Sequence, residues 1–132
     1  MADIAAPRVE QTACPPNISA AGERRRRRQG TIWAAVTAVL FGTGFRFPGW
    51  WAVPVVFLSA AISAVGFLQA ARHTCVLRAK EGTFERDDFS TVPAPAADVA
   101  ASRRVSRGIW RDALAIGAGA AALAVIVRAI SR

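Results

Sequence analysis

The chain has 132 residues, 53% of which are hydrophobic, and its formal net charge of +8 comes almost entirely from arginine. Three segments, 31–45, 49–71 and 113–127, contain no ionisable side chain. A helix that is apolar on every side must be buried in protein or lie in lipid, and a domain of this size leaves about a third of its surface exposed on folding. The composition therefore excludes an ordinary soluble domain and predicts an integral membrane protein.

Residues 1–29 are predicted to form a disordered, basic N-terminal tail. The first part is rich in alanine, proline and small polar residues, and the two prolines after Cys14 disfavour a helix. Five consecutive arginines, 24–28, then precede the first apolar segment. This order also outlines a signal peptide, but the basic run comes late and no small-residue cleavage site follows, so we expect the tail to be retained.

Residues 30–71 predict a transmembrane helical hairpin. The first span, 30–45, has 16 residues, and a helix of that length covers about 24 Å of a hydrocarbon core that is about 30 Å thick. Arg46 extends this span if its side chain snorkels to the headgroups. A Pro-Gly pair predicts the turn, and the second span, 50–71, has the full length.

Residues 72–107 predict a polar cytoplasmic loop with a Pro/Ala-rich linker at 91–98. Residues 108–132 predict a C-terminal transmembrane helix, and Asp98 is a candidate N-cap for a helix that leads into it. The expected fold is therefore an all-α integral membrane protein with three transmembrane helices, namely a helical hairpin plus a separate C-terminal span. A third helix that lies at the membrane interface is the alternative.

The distribution of basic residues predicts the orientation in the membrane. Fourteen of the 17 lysines and arginines fall in the N-terminal tail or in residues 72–112, whereas Arg46, Arg128 and Arg132 fall elsewhere. Basic residues accumulate on the cytoplasmic side. We therefore expect a multi-pass protein of the cytoplasmic (inner) membrane, with its N-terminus in the cytoplasm and its C-terminus outside.

The four tryptophans agree with the boundaries drawn from charge. Trp33 and Trp110 fall at the predicted inner boundary, and Trp50 and Trp51 fall at the outer one. Tryptophan is enriched at both membrane–water interfaces because its ring is apolar and its N–H is polar. All four are therefore expected to be interfacial anchors.

Two clusters of arginine are expected to contact anionic headgroups on the cytoplasmic leaflet. One is the run before the first span, and the other is a stripe at four-residue spacing; together they comprise Arg24, Arg25, Arg26, Arg27, Arg28, Arg103, Arg107 and Arg111. Anionic lipid attracts such arginines by about 1 kcal/mol each. Clustered guanidinium groups also pair with nucleic-acid phosphates, but no aromatic residues are interleaved for base stacking, so nucleic acid is disfavoured as a partner.

Small residues recur at four-residue spacing in the apolar segments, where they predict close helix packing. The candidate packing residues are Ala34, Ala38 and Gly42 in the first span, Ser59 and Ser63 in the second, and Ala113, Gly117 and Ala121 in the third. We expect the third helix to pack through this small-residue face against another helix. The sequence leaves open whether that helix belongs to the same chain or to another protein.

Residues that could carry out chemistry are absent from the apolar segments. His73 is the only histidine, and the two cysteines, Cys14 and Cys75, are not in a metal-binding or CxxC spacing. The acidic residues at 81–88 alternate with basic ones, which is typical of a solvated loop. We therefore expect free thiols, no cofactor, no metal site and no enzymatic activity, although Cys75 follows a span closely enough for acylation.

These observations predict a non-catalytic accessory, scaffold or assembly subunit of a larger bacterial-type membrane protein complex. Its expected partners are anionic lipids and other membrane protein subunits. Two alternatives stay open. A holin-like pore former would also be small, multi-span and basic, and a small transporter subunit would need polar residues near the midplane, where the spans offer Thr37, Ser59 and Ser63.

Overall fold

The computed structural model describes residues 16–44 and 50–131. This part of the chain is mostly helical, with one small antiparallel sheet at one end. The elements in chain order are α1 (Ala20–Gly44), α2 (Ala52–Ala71), α3 (Val76–Glu81), β1 (Thr83–Glu85), β2 (Thr91–Pro93) and α4 (Ala96–Ile130). Helix α2 lies between α1 and α4 and packs against both.

Helix α2 holds the central position because it carries no charge and presents small residues on more than one side. Its buried residues are Ala52, Val56, Ser59, Ala60, Ala61, Ser63, Ala64, Gly66, Gln69 and Ala70. Short side chains let neighbouring helix backbones approach closely, and that approach increases van der Waals contact. One uncharged helix can therefore pack against two neighbours at once.

Helices α1 and α2 come closest where Gly66 faces Gly30. A Cβ atom at Gly66 would lie 2.7 Å from the backbone nitrogen of Gly30 and 2.9 Å from the carbonyl oxygen of Arg26. Near this point the Ser63 hydroxyl donates a hydrogen bond of 2.8 Å to the carbonyl oxygen of Gly30. Because the nearest atoms are backbone atoms, only glycine fits at position 66 without moving a helix.

Helix α4 packs along the other side of α2 through its own small face. A Cβ atom at Gly117 would lie 2.9 Å from the carbonyl oxygen of Phe57 and 3.0 Å from the Cβ atom of Ala61. Ile109 and Ala113 are fully buried in the same contact. The third apolar segment, expected as a separate span, is therefore part of one bundle with α2.

The predicted tail overlaps the first helix. Residues 20–29 are helical and form the beginning of α1. The Ser19 hydroxyl accepts a hydrogen bond of 3.1 Å from the backbone N–H of Gly22, and Glu23 lies in the first turn. Both features stabilise a helix N-terminus, and they explain why this half of the predicted tail is ordered. Residues 1–15, which include Cys14, lie outside the described residues.

The predicted loop and linker also contain regular structure. Strands β1 and β2 pair in the register Thr83↔Pro93, Phe84↔Val92 and Glu85↔Thr91. The first three residues of the linker expected at 91–98 therefore form a strand, and its last three, 96–98, belong to α4. Gly82, in the left-handed conformation with a φ of 72°, ends α3 and starts this hairpin. Helix α4 then begins after Pro95, which places Asp98 in its first turn rather than at the N-cap.

Two helices of the described part, α2 and α4, are long and apolar enough to cross a membrane. Helix α4 has 35 residues and is about 50 Å long, which exceeds the thickness of a hydrocarbon core by about 20 Å. Helix α1 does not meet the same test, because its apolar part begins only at Gly30 and the described helix ends at Gly44.

Candidate functional site

A network of buried polar groups ties the segment before α1 to the connection between α2 and α3. Asn17 is 1% exposed. Its side-chain amide donates a hydrogen bond of 3.2 Å to the carbonyl oxygen of Cys75, and its side-chain oxygen accepts one of 2.5 Å from the Cys75 backbone N–H. The Asn17 backbone N–H donates to the carbonyl oxygen of His73 at 3.0 Å. These bonds fix the start of α1 to the end of α2.

A buried carboxylate lies beside this network. The Glu85 side chain is 4% exposed and lies 3.8 Å from an Arg26 nitrogen and 3.7 Å from an Arg78 nitrogen. Helix α1 passes directly over it, since a Cβ atom at Gly22 would overlap a Glu85 carboxylate oxygen. Two arginines facing one buried carboxylate offset the cost of removing its charge from water. The arrangement is therefore structural.

The five-arginine run is divided between the protein and the solvent. Arg26 faces inward, where Nη2 donates a hydrogen bond of 3.0 Å to Cys75 Sγ. The Arg25 guanidinium lies 5.7 Å from the centroid of the Phe89 ring in the hairpin turn. Arg24 and Arg28 are exposed. Hence only part of the run that was predicted to contact lipid has its charge directed outward.

Arg27 is also exposed but takes part in an ion pair. Its guanidinium donates a hydrogen bond of 2.9 Å to Glu23, and the His73 imidazole lies 3.3 Å from the same carboxylate. The hydrogen bond from Arg27, together with the weaker influence of His73, lowers the pKa of Glu23 below its ordinary value. His73, the only histidine of the chain, is exposed and faces this pair.

The predicted arginine stripe on α4 separates into three different environments. Arg103 donates hydrogen bonds to the carbonyl oxygens of Ala79 at 3.3 Å and Lys80 at 3.2 Å, so it joins α4 to the last turn of α3. Arg107 is exposed. Arg111 is exposed and pairs with Asp112 at 2.9 Å. Within the stripe, Arg103 therefore connects two helices, Arg107 is exposed, and Arg111 forms an ion pair with its neighbour.

An ion pair links α2 to α4 at one end of their small-residue contact. Arg72 directly follows α2 and donates a hydrogen bond of 2.5 Å to Asp112. Gly108 makes room for it, since a Cβ atom there would lie 3.2 Å from an Arg72 nitrogen. Arg72 directly follows the uncharged segment 49–71, and Asp112 directly precedes the uncharged segment 113–127. Their presence at matching ends of two apolar segments is the signal that was available.

A basic groove lies between α3 and α4. It has a volume of about 440 Å³, and its lining residues are Val76, Lys80, Arg103, Ser106, Arg107 and Trp110. Arg103 holds the two helices in this arrangement through the hydrogen bonds described above. Lys80 and Arg107 are exposed at the rim, so two cations from different elements flank one opening.

At the opposite end of the bundle lie two tryptophans and one arginine. Trp50 and Trp51 are about half exposed there. The Arg128 side chain is buried, and its guanidinium lies 5.2 Å from the centroid of the Trp50 ring. Stacking on the aromatic face stabilises the cation. Of the remaining tryptophans, Trp33 is half-buried and Trp110 is exposed beside the basic groove.

The small residues singled out from the sequence have two different surroundings. Ala113 and Gly117 are buried against α2, and Ala121 is half-buried. On α1, by contrast, Ala34 and Ala38 are exposed, and a Cβ atom at Gly42 would meet nothing within 4 Å. The α1–α2 contact is made instead at Gly30 and Gly66, which the four-residue spacing missed. A glycine in a helix interior costs about 1 kcal/mol relative to alanine, so its presence was a usable signal of close approach.

Within residues 16–44 and 50–131, no group of three or more His, Cys, Asp or Glu side chains is placed to hold a metal ion. Cys75 is a free and buried thiol. The chain matches no family model, and no curated protein or solved structure matches it. Function must therefore be argued from the geometry of the bundle itself.

Proposed function

We propose that the protein is a non-catalytic accessory or scaffold subunit of a larger complex in the cytoplasmic membrane. In this proposal the apolar parts of α1, α2 and α4 cross the bilayer. The observation that carries it is a belt of large apolar side chains, each more than a third exposed, on all three helices: Ile32, Val36, Val39, Val55, Leu58, Leu114, Ile116, Leu123, Val125 and Ile126. In water such a continuous surface would cause aggregation, whereas lipid covers it.

Helix α4 supports a lipid environment most directly. Only 22% of the residues in its most apolar stretch are buried, whereas the core helix of a soluble protein is mostly buried. Between Asp112 and Arg128 this helix rises about 24 Å. Helix α2, with 20 residues, is about 30 Å long, close to the thickness of the hydrocarbon core.

The two ends of the belt carry the groups that favour membrane interfaces. Arg72 and Asp112 lie at one end, and Trp50 and Arg128 lie at the other. The end with Arg72 also carries α3, the hairpin and most of the basic residues. Because basic segments are retained in the cytoplasm, we assign this end and the N-terminus to the cytoplasmic side and the C-terminus to the outside.

A role in assembly fits the unused packing face of α1. Ala34, Ala38 and Gly42 form a small-residue surface that no other helix of the described chain covers. Lipid tails are as apolar as these side chains, so close packing rather than the hydrophobic effect drives helices together in a bilayer. A partner helix can therefore approach α1 closely on this side.

The polar groups near the midplane favour this role over a pore or a transport pathway. The Thr37 hydroxyl donates to the carbonyl oxygen of Trp33 at 2.8 Å and lies 3.0 Å from the Ser59 hydroxyl. Ser63 donates to the carbonyl oxygen of Gly30. These hydroxyl groups join α1 to α2. Thr37 and Ser63 also line a cavity of about 340 Å³, but its other lining residues are all apolar. A holin-like or transporter role would need them to face a shared polar path.

The proposal is tested by purification of the protein from membranes in mild detergent, followed by mass spectrometry. We expect other membrane protein subunits to co-purify in constant proportion. Ala38→Ile, which adds bulk to the open face of α1, should release them. Ala118→Ile adds the same bulk on an exposed part of α4 and should not. Recovery of the wild-type chain alone as a monodisperse monomer would refute the scaffold role, and leakage of dye on expression would favour the pore.

A further inference from the structure

Three cationic side chains from two helices line the basic groove between α3 and α4. Lys80 reaches its rim from α3, and Arg107 reaches it from α4. Arg103 is held between them by its hydrogen bonds to the carbonyl oxygens of Ala79 and Lys80. We infer that this groove binds the phosphate of an anionic phospholipid headgroup. The inference rests on the membrane placement proposed above.

The charge in the groove is not neutralised by the residues that line it. None of the described residues that line the groove is acidic. Of the carboxylates that are nearest in sequence, Glu81 pairs with Arg78 at 2.8 Å, Asp112 pairs with Arg72 and Arg111, and Asp98 is not among the residues that line the groove. Lys80, Arg103 and Arg107 therefore leave a net positive site, which matches a phosphodiester in charge.

An adjoining cavity extends the groove. It has a volume of about 430 Å³ and shares Val76, Lys80 and Trp110 with the basic groove. Part of its wall is polar, with Arg26, Gln29, Gln69 and Cys75, whereas Val65 and Leu77 add aliphatic surface. A phospholipid needs such aliphatic surface beside the cations, for its glycerol and the start of an acyl chain. A free phosphate ion does not, so we assign the site to a lipid.

The position of the groove along the bundle also fits a headgroup. Trp110 lies two residues before Asp112, which pairs with Arg72 at the end of the apolar belt. Tryptophan rings favour the same interfacial level as the glycerol and phosphate groups. The groove therefore opens where anionic headgroups of the cytoplasmic leaflet would be, beside α4, which carries half of the side chains in the apolar belt.

Native mass spectrometry of the full chain, purified from membranes in mild detergent, measures lipid retention directly. Phosphatidylglycerol and phosphatidylcholine are the probes. We expect wild-type protein to retain phosphatidylglycerol in preference. Lys80→Gln and Arg107→Gln should each weaken that retention about fivefold, which is the loss for one cation near an anionic surface. Arg104→Gln removes the same charge from an exposed position of α4 outside the groove and should leave retention unchanged.

The outcomes separate this site from the proposed function. Retention at the wild-type level in either Lys80→Gln or Arg107→Gln, or an equal loss in Arg104→Gln, overturns the site while the protein stays in the membrane fraction. Displacement of the lipid by millimolar inorganic phosphate would reassign the groove to a soluble anion and overturn the assignment to lipid. Release of the wild-type protein from membranes by alkaline extraction would instead overturn the membrane placement. Unchanged helical circular dichroism confirms that each variant is folded.

Discussion

Single residues control how α1 is held against the rest of the protein. Arg27 and His73 meet on one carboxylate, that of Glu23, at the exposed edge of the network around Asn17. This contact joins Glu23, in the first turn of α1, to His73, which lies two residues after the end of α2. It is accessible to solvent, so salt screens it more strongly than the buried ion pairs around Glu85.

The Glu23 contact predicts acid sensitivity with a defined sign. The hydrogen bond from Arg27 lowers the pKa of Glu23 from its ordinary value of 4.5. The contact therefore stabilises the fold fully above that ordinary value, and this stabilisation is lost as the pH falls through the lowered pKa. Glu23→Gln should show a smaller fall in the unfolding temperature between pH 6 and pH 3 than the wild-type protein in detergent. Arg27→Gln, which removes the main cause of the shift, should behave in the same way. Equal pH dependence in all three proteins would contradict the assignment.

At the scale of the elements, the pairing of α2 with α4 depends on the absence of a side chain at one position. Gly117→Ile would push a branched side chain against the Phe57 carbonyl and the Ala61 Cβ atom, and neither can move freely. Overpacking of this kind costs about 1–3 kcal/mol. Gly119→Ile is the matched control, because a Cβ atom at Gly119 meets nothing within 4 Å. Denaturation in mixed micelles, followed by circular dichroism, should show a loss of stability in the first variant only. A similar loss in both variants would mean that Gly117 is not a contact point.

The elements that the sequence predicted well are those whose cause is local. The absence of charge predicted the second span at 50–71, and the helix is Ala52–Ala71. The C-terminal helix was predicted at 108–132, and α4 ends within that range, at Ile130. The packing of α4 through Ala113 and Gly117 follows from spacing on one helix. That its partner is α2 could not be predicted, since the rotation of one helix about another is set by contacts between distant residues.

The end of the molecule that contains α3 and the β-hairpin was predicted poorly, because its contacts join residues that are distant in the chain. Helix α3 and the hairpin are too short to be stable alone. They are held by long-range bonds, such as those of Asn17 to Cys75, a contact 58 residues apart in the chain. The basic groove depends on Arg103 reaching Lys80, 23 residues earlier. No periodicity in the sequence encodes such contacts, so the arginine stripe was predicted but the groove was not.

For the whole molecule, the distribution of charge and the arrangement of the helices lead to one testable topology. Reporter fusions after Gly49 and after Arg132 should read as exported, and a fusion at Ala94 should read as cytoplasmic, because most basic residues lie on the side of α3 and the hairpin. Replacement of the five arginines at 24–28 by glutamine should weaken this bias, whereas the same change at Arg128 should not. A cytoplasmic signal at the C-terminus would contradict the crossing of α4 and would favour a helix that lies along the surface.

The inward position of Arg26 has a consequence for the order of assembly. Its partner Cys75 lies 49 residues later in the chain, and Glu85 comes later still. During synthesis α1 is made first, so Arg26 at that time has only water and lipid headgroups around it. In the topology proposed above, it then belongs with its four neighbours to the basic residues that retain the N-terminus in the cytoplasm. After α2 and the β-hairpin have formed, the same guanidinium lies 3.8 Å from the Glu85 carboxylate. In that topology, one side chain first orients the chain and afterwards holds α1 against the β-hairpin.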